Sequence, residues 1–373
     1  MSQRNIAEVK DLEVRFYTYS GVVEALDGVN LAIKEGEILG LVGETGCGKS
    51  VTSLSVMMLV PPPGKIEGGK ILFDKQGKKE DILTMDDNSL RGLRGKNIAM
   101  IFQEPRAYLN PVYTVEDQIA EVILVHRRME LLKKAVDTLE KKHKGKTFEC
   151  GNYRRMLKNP KSLITRLIAK FGSNRTFNNE AKKEVVQVLK SVEIPDPERV
   201  AQMYPHELSG GMAQRTLIAM ALSCNPTLLI ADEPTTNLDV TVQAQILNLI
   251  RGLKQSFKSS ILYITHDLGV VAQLCDRVAV MYAGNIIETA DVFELFNSPL
   301  HPYARALLES IPRPGKPFTS IPGFVPSLVN PPKGCRFNDR CSYAMEVCRR
   351  VKPVFLKAKE EHYVACFLYG GSE

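Results

Sequence analysis

The segment GETGCGKS, at residues 43–50, has the residue types and spacing of a loop that binds phosphate groups. Its glycines let the backbone curl so that successive N–H groups point at phosphate oxygens, and the helix that begins near Lys49 adds its positive end. Lys49 is placed to reach the outer phosphates of a nucleotide, and the Ser50 hydroxyl to bind Mg²⁺. The predicted nucleotide contacts are Gly43, Glu44, Thr45, Gly46, Cys47, Gly48, Lys49, Ser50 and Val51.

A second segment, LLIADE at residues 228–233, predicts a buried strand that ends in two acids. Asp232 emerges where it can hold the Mg²⁺ shell, and Glu233 is placed to orient or deprotonate an attacking water. The alternative is that both acids only cap a strand end.

A third segment, LSGGM, has the features of another anion site. Its residues are Leu208, Ser209, Gly210, Gly211 and Met212. The serine offers a hydroxyl, the glycines allow close backbone approach, and a helix begins at the methionine. Two anion sites in one chain are redundant for one nucleotide.

Four of the eight cysteines lie close together near the end of the chain: Cys335, Cys341, Cys348 and Cys366. Cys47 lies inside the phosphate loop, where a disulfide would block the site, so a reducing compartment is indicated. Four thiolates can hold a [4Fe–4S] cluster or Zn²⁺. Zinc sites more often use CxxC pairs, which are absent, so the spacing favours the cluster; zinc and unligated or disulfide-bonded cysteines remain alternatives.

The elements that position these residues follow an α/β pattern, with strands and helices alternating as a parallel sheet requires. Strands are predicted at residues 9–16, 29–33, 37–42, 70–73, 228–231 and 261–265, with a closing hairpin at 278–281 and 286–288. Residues 114–202 are helical by periodicity. Two apolar helix faces are predicted there: Met129, Leu132, Val136 and Leu139, then Leu163, Leu167, Ile168 and Phe171.

Positive charge is concentrated in one segment. Residues 127–183 hold 17 Lys and Arg against 5 Asp and Glu, so this segment carries +12 and the remainder −5 of the total +7. A general affinity for nucleic acid is therefore not indicated. No apolar run is long enough to span a membrane and the first residues lack a signal peptide's apolar core, so we expect a cytoplasmic location.

Residues 9–288 resemble the ATP-binding subunits of ABC transporters. The resemblance rests on the order of six features along the chain: GETGCGKS, Gln103, LSGGM, LLIADE, Asp239 and His266. The resemblance implies that Gln103 contacts Mg²⁺ and reports nucleotide state to the membrane partner, that His266 contacts the γ-phosphate, and that Asp239 contacts a second subunit. It also implies that LSGGM closes over the ATP of that second subunit. Asn237 stands where the family often has alanine. The implied catalytic residues are Glu233, His266, Lys49 and Gln103, and the implied Mg²⁺ ligands are Ser50, Gln103 and Asp232.

An aromatic residue near the first strand usually stacks on adenine in this family. Counting back from Ala25 favours Phe16, but Tyr17 and Tyr19 compete, and Phe16 also fits a core position of the strand.

The last part of the chain narrows the resemblance. SPLHPYARALL and IPGFVPSLVNPPKGCRFNDRCSYAMEVC are similar to the C-terminal region of dipeptide and oligopeptide importer ATPases. We therefore expect an ABC ATPase domain at residues 1–300, comprising an antiparallel β subdomain and a helical subdomain at about 104–225, and a small four-cysteine domain at 301–373. The expected function is ATP hydrolysis that energises peptide import.

The same resemblance implies the partners. They are a second ATPase subunit, for which a paralogue is favoured, two transmembrane permease subunits and, indirectly, an extracytoplasmic peptide-binding protein, with the chain on the cytoplasmic face of the membrane. No nucleic acid is expected. The alternative is a soluble ABC ATPase with an iron–sulfur module acting on nucleic acid or ribosomes.

The basic segment departs from the family, because the distance from Gln103 to Ser209 is longer than usual. We place an insertion at about residues 130–179. It is either a solvated helical insertion or a contact with anionic lipid headgroups or a partner subunit.

Overall fold

The computed structural model describes residues 4–75, 77–143, 147–160, 175–257, 259–312 and 320–370. The chain divides into two compact units. The first, here called the sheet unit, consists of Met1–Arg94, Thr227–Thr235 and Leu247–Glu373. The second, the helical unit, consists of Gly95–Pro226 and Thr236–Ile246. The predicted α/β class is confirmed.

The sheet unit contains an antiparallel sheet with strand order β2-β1-β4-β5. Its strands are β1 (Asn5–Thr18), β2 (Gly21–Lys34), β4 (Gly64–Lys75) and β5 (Lys78–Asp81). β1 and β2 are longer than predicted because register shifts between them interrupt the alternation of buried and exposed residues on which the prediction relied.

A second sheet of the same unit has the order β11-β12-β10-β9-β3-β8-β7. Its strands are β3 (Ile38–Val42), β7 (Leu228–Asp232), β8 (Ser260–Thr265), β9 (Arg277–Tyr282), β10 (Asn285–Asp291), β11 (Leu356–Lys359) and β12 (His362–Val364). β3 pairs in parallel with β8 and β9, and β7 with β8. The parallel strands β3, β7 and β8 are buried along their whole length.

The hairpin of β9 and β10 was predicted to close the sheet, and the structure differs. β12 pairs with β10, and β11 with β12, so strands from the last residues extend the sheet. A buried polar group fixes this junction: the Glu288 carboxylate on β10 lies 2.8 Å from Nε2 of His362 on β12. The two strands were not predicted because they are only four and three residues long.

Helices flank these strands. Those assigned within the sheet unit are Lys49–Val56, Asp87–Leu93, Leu268–Leu274, Val292–Asn297, Pro302–Glu309 and Glu346–Arg350. The helix Val240–Phe257 starts in residues of the helical unit and continues into residues of the sheet unit.

The helical unit contains the short strand β6 (Ile98–Ile101) and a group of helices. The helices are Pro105–Tyr108, Val115–His126, Arg128–His143, Phe148–Lys158, Arg175–Ser191, Pro197–Ala201 and Gly210–Leu222. Leu132, Val136 and Leu139 are buried as predicted, whereas Met129 is exposed. The predicted face of Leu163, Leu167, Ile168 and Phe171 lies outside the described residues.

Several basic side chains of the basic segment, residues 127–183, are paired within the helical unit. Arg127 and Lys134 both contact the Glu184 carboxylate, at 2.8 and 2.6 Å, and Arg154 pairs with Glu140. These pairs fit a solvated helical insertion; the contact with lipid or a partner stays a prediction. In the part of the chain that the structure describes, no helix combines the length and the apolar character that a membrane span needs.

Candidate functional site

The phosphate loop joins the buried strand β3 to the helix Lys49–Val56, as its sequence predicts. Gly43 and Gly48 are two positions of this loop where glycine is required. Gly48 has φ +109° at the helix start, and a Cβ at Gly43 would lie 2.1 Å from the Met281 carbonyl oxygen. Any side chain at Gly43 would displace the loop from β9, so the glycine there fixes both the curl and the packing of the loop.

Lys49 is buried, and its ammonium group lies against the loop. Its Nζ donates hydrogen bonds to the carbonyl oxygens of Gly43, at 2.8 Å, and of Glu44, at 3.1 Å. The charge is thus held at the inner face of the loop, where a cation stabilises phosphate.

Asp232, at the end of β7, lies near the side chain of Ser50. Burial raises the pKa of Asp232, the nearby Glu233 carboxylate raises it further, and the Ser50 hydroxyl and the Lys49 charge oppose both. Its Oδ1 atom is buried and has no hydrogen-bond partner among the described residues. An unpartnered buried carboxylate oxygen beside a hydroxyl is a donor set that fits Mg²⁺, which prefers oxygen ligands.

Glu233 and His266 come together at the ends of neighbouring parallel strands. Glu233 Oε1 lies 3.0 Å from Nδ1 of His266. The backbone of Glu233 has φ +46°, and its N–H donates to the Ile264 carbonyl oxygen at 2.9 Å. A non-glycine residue in this region is strained, and such strain is typical of functional positions. The backbone of Glu233 is therefore held by the neighbouring strand, and its carboxylate contacts an imidazole.

The predicted residues of the helical unit have local structural roles. Ser209 caps the helix Gly210–Leu222, since its hydroxyl accepts a hydrogen bond from the Met212 N–H at 3.3 Å. The Leu208 carbonyl oxygen accepts from the Arg106 guanidinium at 2.8 Å. A Cβ at Gly211 would lie 2.8 Å from the Val242 side chain, so glycine lets two segments of this unit pack closely.

Asp239 caps the start of the helix Val240–Phe257 by accepting from the N–H groups of Thr241 and Val242. Gln103 is exposed and lies two residues after β6. These residues belong to the helical unit, and their roles toward nucleotide and partner subunits stay predictions.

The three candidate aromatics near β1 differ in their surroundings. Phe16 is half-buried, with its ring against Gly64. The Tyr17 hydroxyl donates to Glu67 at 3.0 Å, and Lys65 Nζ lies 5.5 Å from the Tyr17 ring centre. Tyr19 is fully exposed. Tyr17 is thus already engaged, and the choice between Phe16 and Tyr19 stays a prediction.

The four tail cysteines line one small cavity of about 20 Å³. Cys335 and Cys348 are also joined through the backbone, by a hydrogen bond of 2.7 Å from the Cys335 N–H. Burial raises the pKa of the Cys335 thiol to about 12 and raises those of Cys341 and Cys366. Among the described residues, no three His, Cys, Asp or Glu side chains are arranged to hold a metal ion.

Sequence reasoning missed the residues that hold the phosphate loop from the C-terminal part of the chain. Arg340 pairs with Glu44, and the Tyr303 hydroxyl accepts from the Glu44 N–H at 3.0 Å. These contacts join positions about 260 to 300 residues apart in the chain, and no spacing pattern signals them.

The ABC transporter family matches residues 26–236, and the C-terminal region of the oligopeptide/dipeptide transporter family matches residues 287–348. The oligopeptide transport ATP-binding protein OppD of Bacillus subtilis is 44% identical over 97% of this chain and 88% of its own length. The dipeptide transport ATP-binding protein DppD of Bacillus subtilis is 43% identical over 97% of this chain and 94% of its own length.

Among solved structures, a dimeric bacterial ABC transporter cassette has a TM-score of 0.56 at 24% identity, over 77% of this chain and 98% of its own. The cbiO1 subunit of a Clostridium perfringens ABC transporter complex has a TM-score of 0.55 at 26% identity, over 79% and 92%. The fold is thus that of an ABC cassette. With a phosphate loop at the end of β3, paired acids at the end of β7 and a C-terminal region that also matches, the chain belongs to the ABC transporter ATP-binding protein family.

Proposed function

We propose that this chain is the ATP-hydrolysing subunit of an ABC importer for dipeptides or oligopeptides. The observation that carries the proposal is the similarity over 97% of the chain to two ATP-binding proteins named for oligopeptide and dipeptide transport. The soluble ATPase acting on nucleic acid or ribosomes is not supported, because these relatives are named for peptide transport.

Each site residue has a role in this proposal that its position supports. The phosphate loop and Lys49 bind the ATP phosphates, and Ser50, Asp232 and Gln103 are the residues that would hold Mg²⁺. Bound Mg²⁺ neutralises charge on the phosphates. Glu233 accepts a proton from the attacking water, and the contact with His266 orients its carboxylate. Phe16 or Tyr19 stacks on the adenine.

The proposed partners follow from residues of the helical unit. LSGGM and Asp239 contact a second ATPase subunit, for which we favour a paralogue, and Gln103 signals to two membrane permeases. Tyr108, Val112 and Tyr113 lie shortly after Gln103 and expose large apolar side chains, which suits contact with a protein partner. A peptide-binding protein outside the membrane supplies the peptide, and the chain works at the cytoplasmic face.

The Glu233→Gln variant tests this assignment in the assembled transporter. We expect it to bind ATP and associate with its partner, but to hydrolyse ATP at least about 100-fold more slowly, since the amide cannot accept the proton. Glu346→Gln, at an exposed position far along the chain, is the matched control and should hydrolyse ATP normally. Normal hydrolysis by Glu233→Gln would refute the role of this residue.

We further propose that residues 301–373 form a small C-terminal domain that binds a [4Fe–4S] cluster. Its ligands are Cys335, Cys341, Cys348 and Cys366. Their convergence on one cavity supports a shared ligand. Zinc sites more often use CxxC pairs, which are absent from this sequence, so zinc is the weaker alternative. As it stands the cavity is about the size of one water, so the thiols must move apart to admit a cluster.

Iron, sulfide and zinc analysis of chain purified without oxygen distinguishes these cases. We expect a broad visible absorbance band and about four iron atoms per chain, both lost in Cys341→Ser. Cys224→Ser, outside the group, is the control. One zinc and no iron would establish the alternative, and the absence of both metals would contradict a metal site.

A further inference from the structure

Glu44 is the second residue of the phosphate loop. Both its side-chain carboxylate and its backbone N–H are held by residues from the C-terminal part of the chain. Two guanidinium nitrogens of Arg340 contact its two carboxylate oxygens, at 2.7 and 3.1 Å. Its backbone N–H donates to the Tyr303 hydroxyl. A two-point Arg–carboxylate pair fixes direction as well as distance, so this contact restrains the orientation of Glu44.

The Arg340 guanidinium is itself fixed. Its side chain is only 5% exposed, whereas that of Glu44 is 28% exposed. It lies 5.7 Å from the Tyr282 ring and 5.9 Å from the Phe337 ring, and it donates to the Pro322 carbonyl oxygen at 2.8 Å. Burial lowers the pKa of Arg340, but hydrogen bonds with Glu44 and Tyr282 outweigh it and raise the pKa overall. A charged group held by aromatic rings and backbone can act as a rigid anchor.

A second arginine of the same segment holds the turn that contacts the other end of the phosphate loop. Arg336 donates to the Ala283 carbonyl oxygen at 2.6 Å and to the Glu24 carboxylate at 2.9 Å. The next residue, Gly284, donates its N–H to the Cys47 carbonyl oxygen at 2.8 Å. Residues 335–341 are therefore connected to the loop directly at Glu44 and, through the turn between β9 and β10, at Cys47.

We propose that Arg340 is a positioning residue for ATP binding, which holds the phosphate loop through Glu44 in the conformation that receives the phosphates. Residues 335–341 then form part of the nucleotide site, in addition to any role of their two cysteines. This inference goes beyond the proposed transport function, which needs an ATP site but not this support.

The affinity of the full-length chain for a fluorescent ATP analogue, with Mg²⁺, tests the proposal. Arg340→Ala is expected to weaken binding about tenfold, because the loop loses its anchor and must be ordered by the nucleotide. Arg350→Ala removes an arginine of the same C-terminal segment that is exposed and pairs with Glu346, so it should bind as the wild type does. Arg340→Lys should recover only part of the affinity, since an ammonium group cannot make the two-point contact.

A double-mutant cycle separates positioning from general damage. Glu44→Ala alone should also weaken binding, and Arg340→Ala with Glu44→Ala should bind no more weakly than the weaker single variant. If Arg340→Ala does not fold, Glu44→Gln, at the more exposed partner, takes its place and must weaken binding. The proposal would be overturned if Arg340→Ala or Glu44→Gln bound the ATP analogue with wild-type affinity. It would also be overturned if Arg350→Ala lost as much affinity as Arg340→Ala, or if the losses of the two single variants added up in the double variant. The proposed ATPase function is tested separately by ATP hydrolysis of the wild type and of Arg350→Ala. If both hydrolyse ATP, that function is supported whatever the outcome for Arg340.

Discussion

Two properties of Asp232 oppose each other at the scale of the single residue. Its carboxylate is buried beside Glu233, and one of its oxygens has no partner among the described residues, which destabilises the ionised form. The lone pairs left unpartnered on this oxygen make Asp232 a good ligand for Mg²⁺. A residue placed for function is thus expected to cost stability in the nucleotide-free chain.

Asp232→Asn should therefore stabilise the nucleotide-free chain while abolishing hydrolysis. The folded pKa of Asp232 is raised above its unfolded value, so its contribution to stability is favourable only at low pH and is lost as the pH rises through the folded pKa. At neutral pH the neutral amide should raise the free energy of unfolding by about 1 kcal/mol. Thermal unfolding without nucleotide measures this, and a lower melting temperature than that of the wild type would contradict it.

Asp137→Asn, at an exposed position, is the control for both measurements. It should change neither the melting temperature nor the Mg²⁺-dependent rate. For Asp232→Asn, we expect the Mg²⁺-dependent rate of ATP hydrolysis to fall by about 100-fold or more, since the neutral amide is a poorer metal ligand.

At the scale of the element, LSGGM forms the start of a helix within its own unit. The Ser209 hydroxyl caps that helix, and Gly211 packs against Val242. Both roles are local, so the segment has a structural reason for its sequence besides any contact with nucleotide. The N-terminus of the 13-residue helix Gly210–Leu222 still carries the partial positive charge that suits a phosphate.

Two substitutions of Ser209 separate capping from contact with a second subunit. Ser209→Ala should lower the free energy of unfolding by about 1 kcal/mol, the usual effect of losing a cap. Ser209→Arg should lose the cap as well, and its long side chain should prevent the segment from closing over the partner's ATP. We expect both isolated variants to bind ATP with wild-type affinity, and only Ser209→Arg to abolish hydrolysis in the assembled transporter. Loss of ATP binding in the isolated Ser209→Arg chain would show that the segment serves its own nucleotide.

Strand bounds at this scale were predictable where burial is uniform and not where it is irregular. β3, β7 and β8 are short, apolar and completely buried, so their composition identified them. β2 alternates irregularly across register shifts, and only its last part was predicted. β11 and β12 are too short for any period to emerge; β12 forms by pairing with the edge of β10, and β11 by pairing with β12.

At the scale of the whole molecule, the last residues contribute to the sheet unit at several points that are distant in sequence. β12 continues the sheet beyond β10, the His362–Glu288 pair lies buried at that junction, and Arg336 and Arg340 reach the turn and loop around the nucleotide site. These residues belong to the same compact unit as the phosphate loop. The division of the chain into an ATPase domain at residues 1–300 and a C-terminal domain at 301–373 therefore stays a prediction.

The sequence by itself determined the local chemistry of this protein. Glycines at fixed spacing impose the curl of the phosphate loop, an apolar run before two acids places them at a strand end, and Ser209 caps a helix, because each depends only on neighbouring residues. Only the tertiary structure decided which distant groups meet. Strand order brings Glu233 to His266 and Asp232 to Ser50, and the C-terminal segment brings Arg340 to Glu44, 296 positions away. Such pairings depend on how strands are ordered and how a tail folds back, and no local period or propensity encodes them.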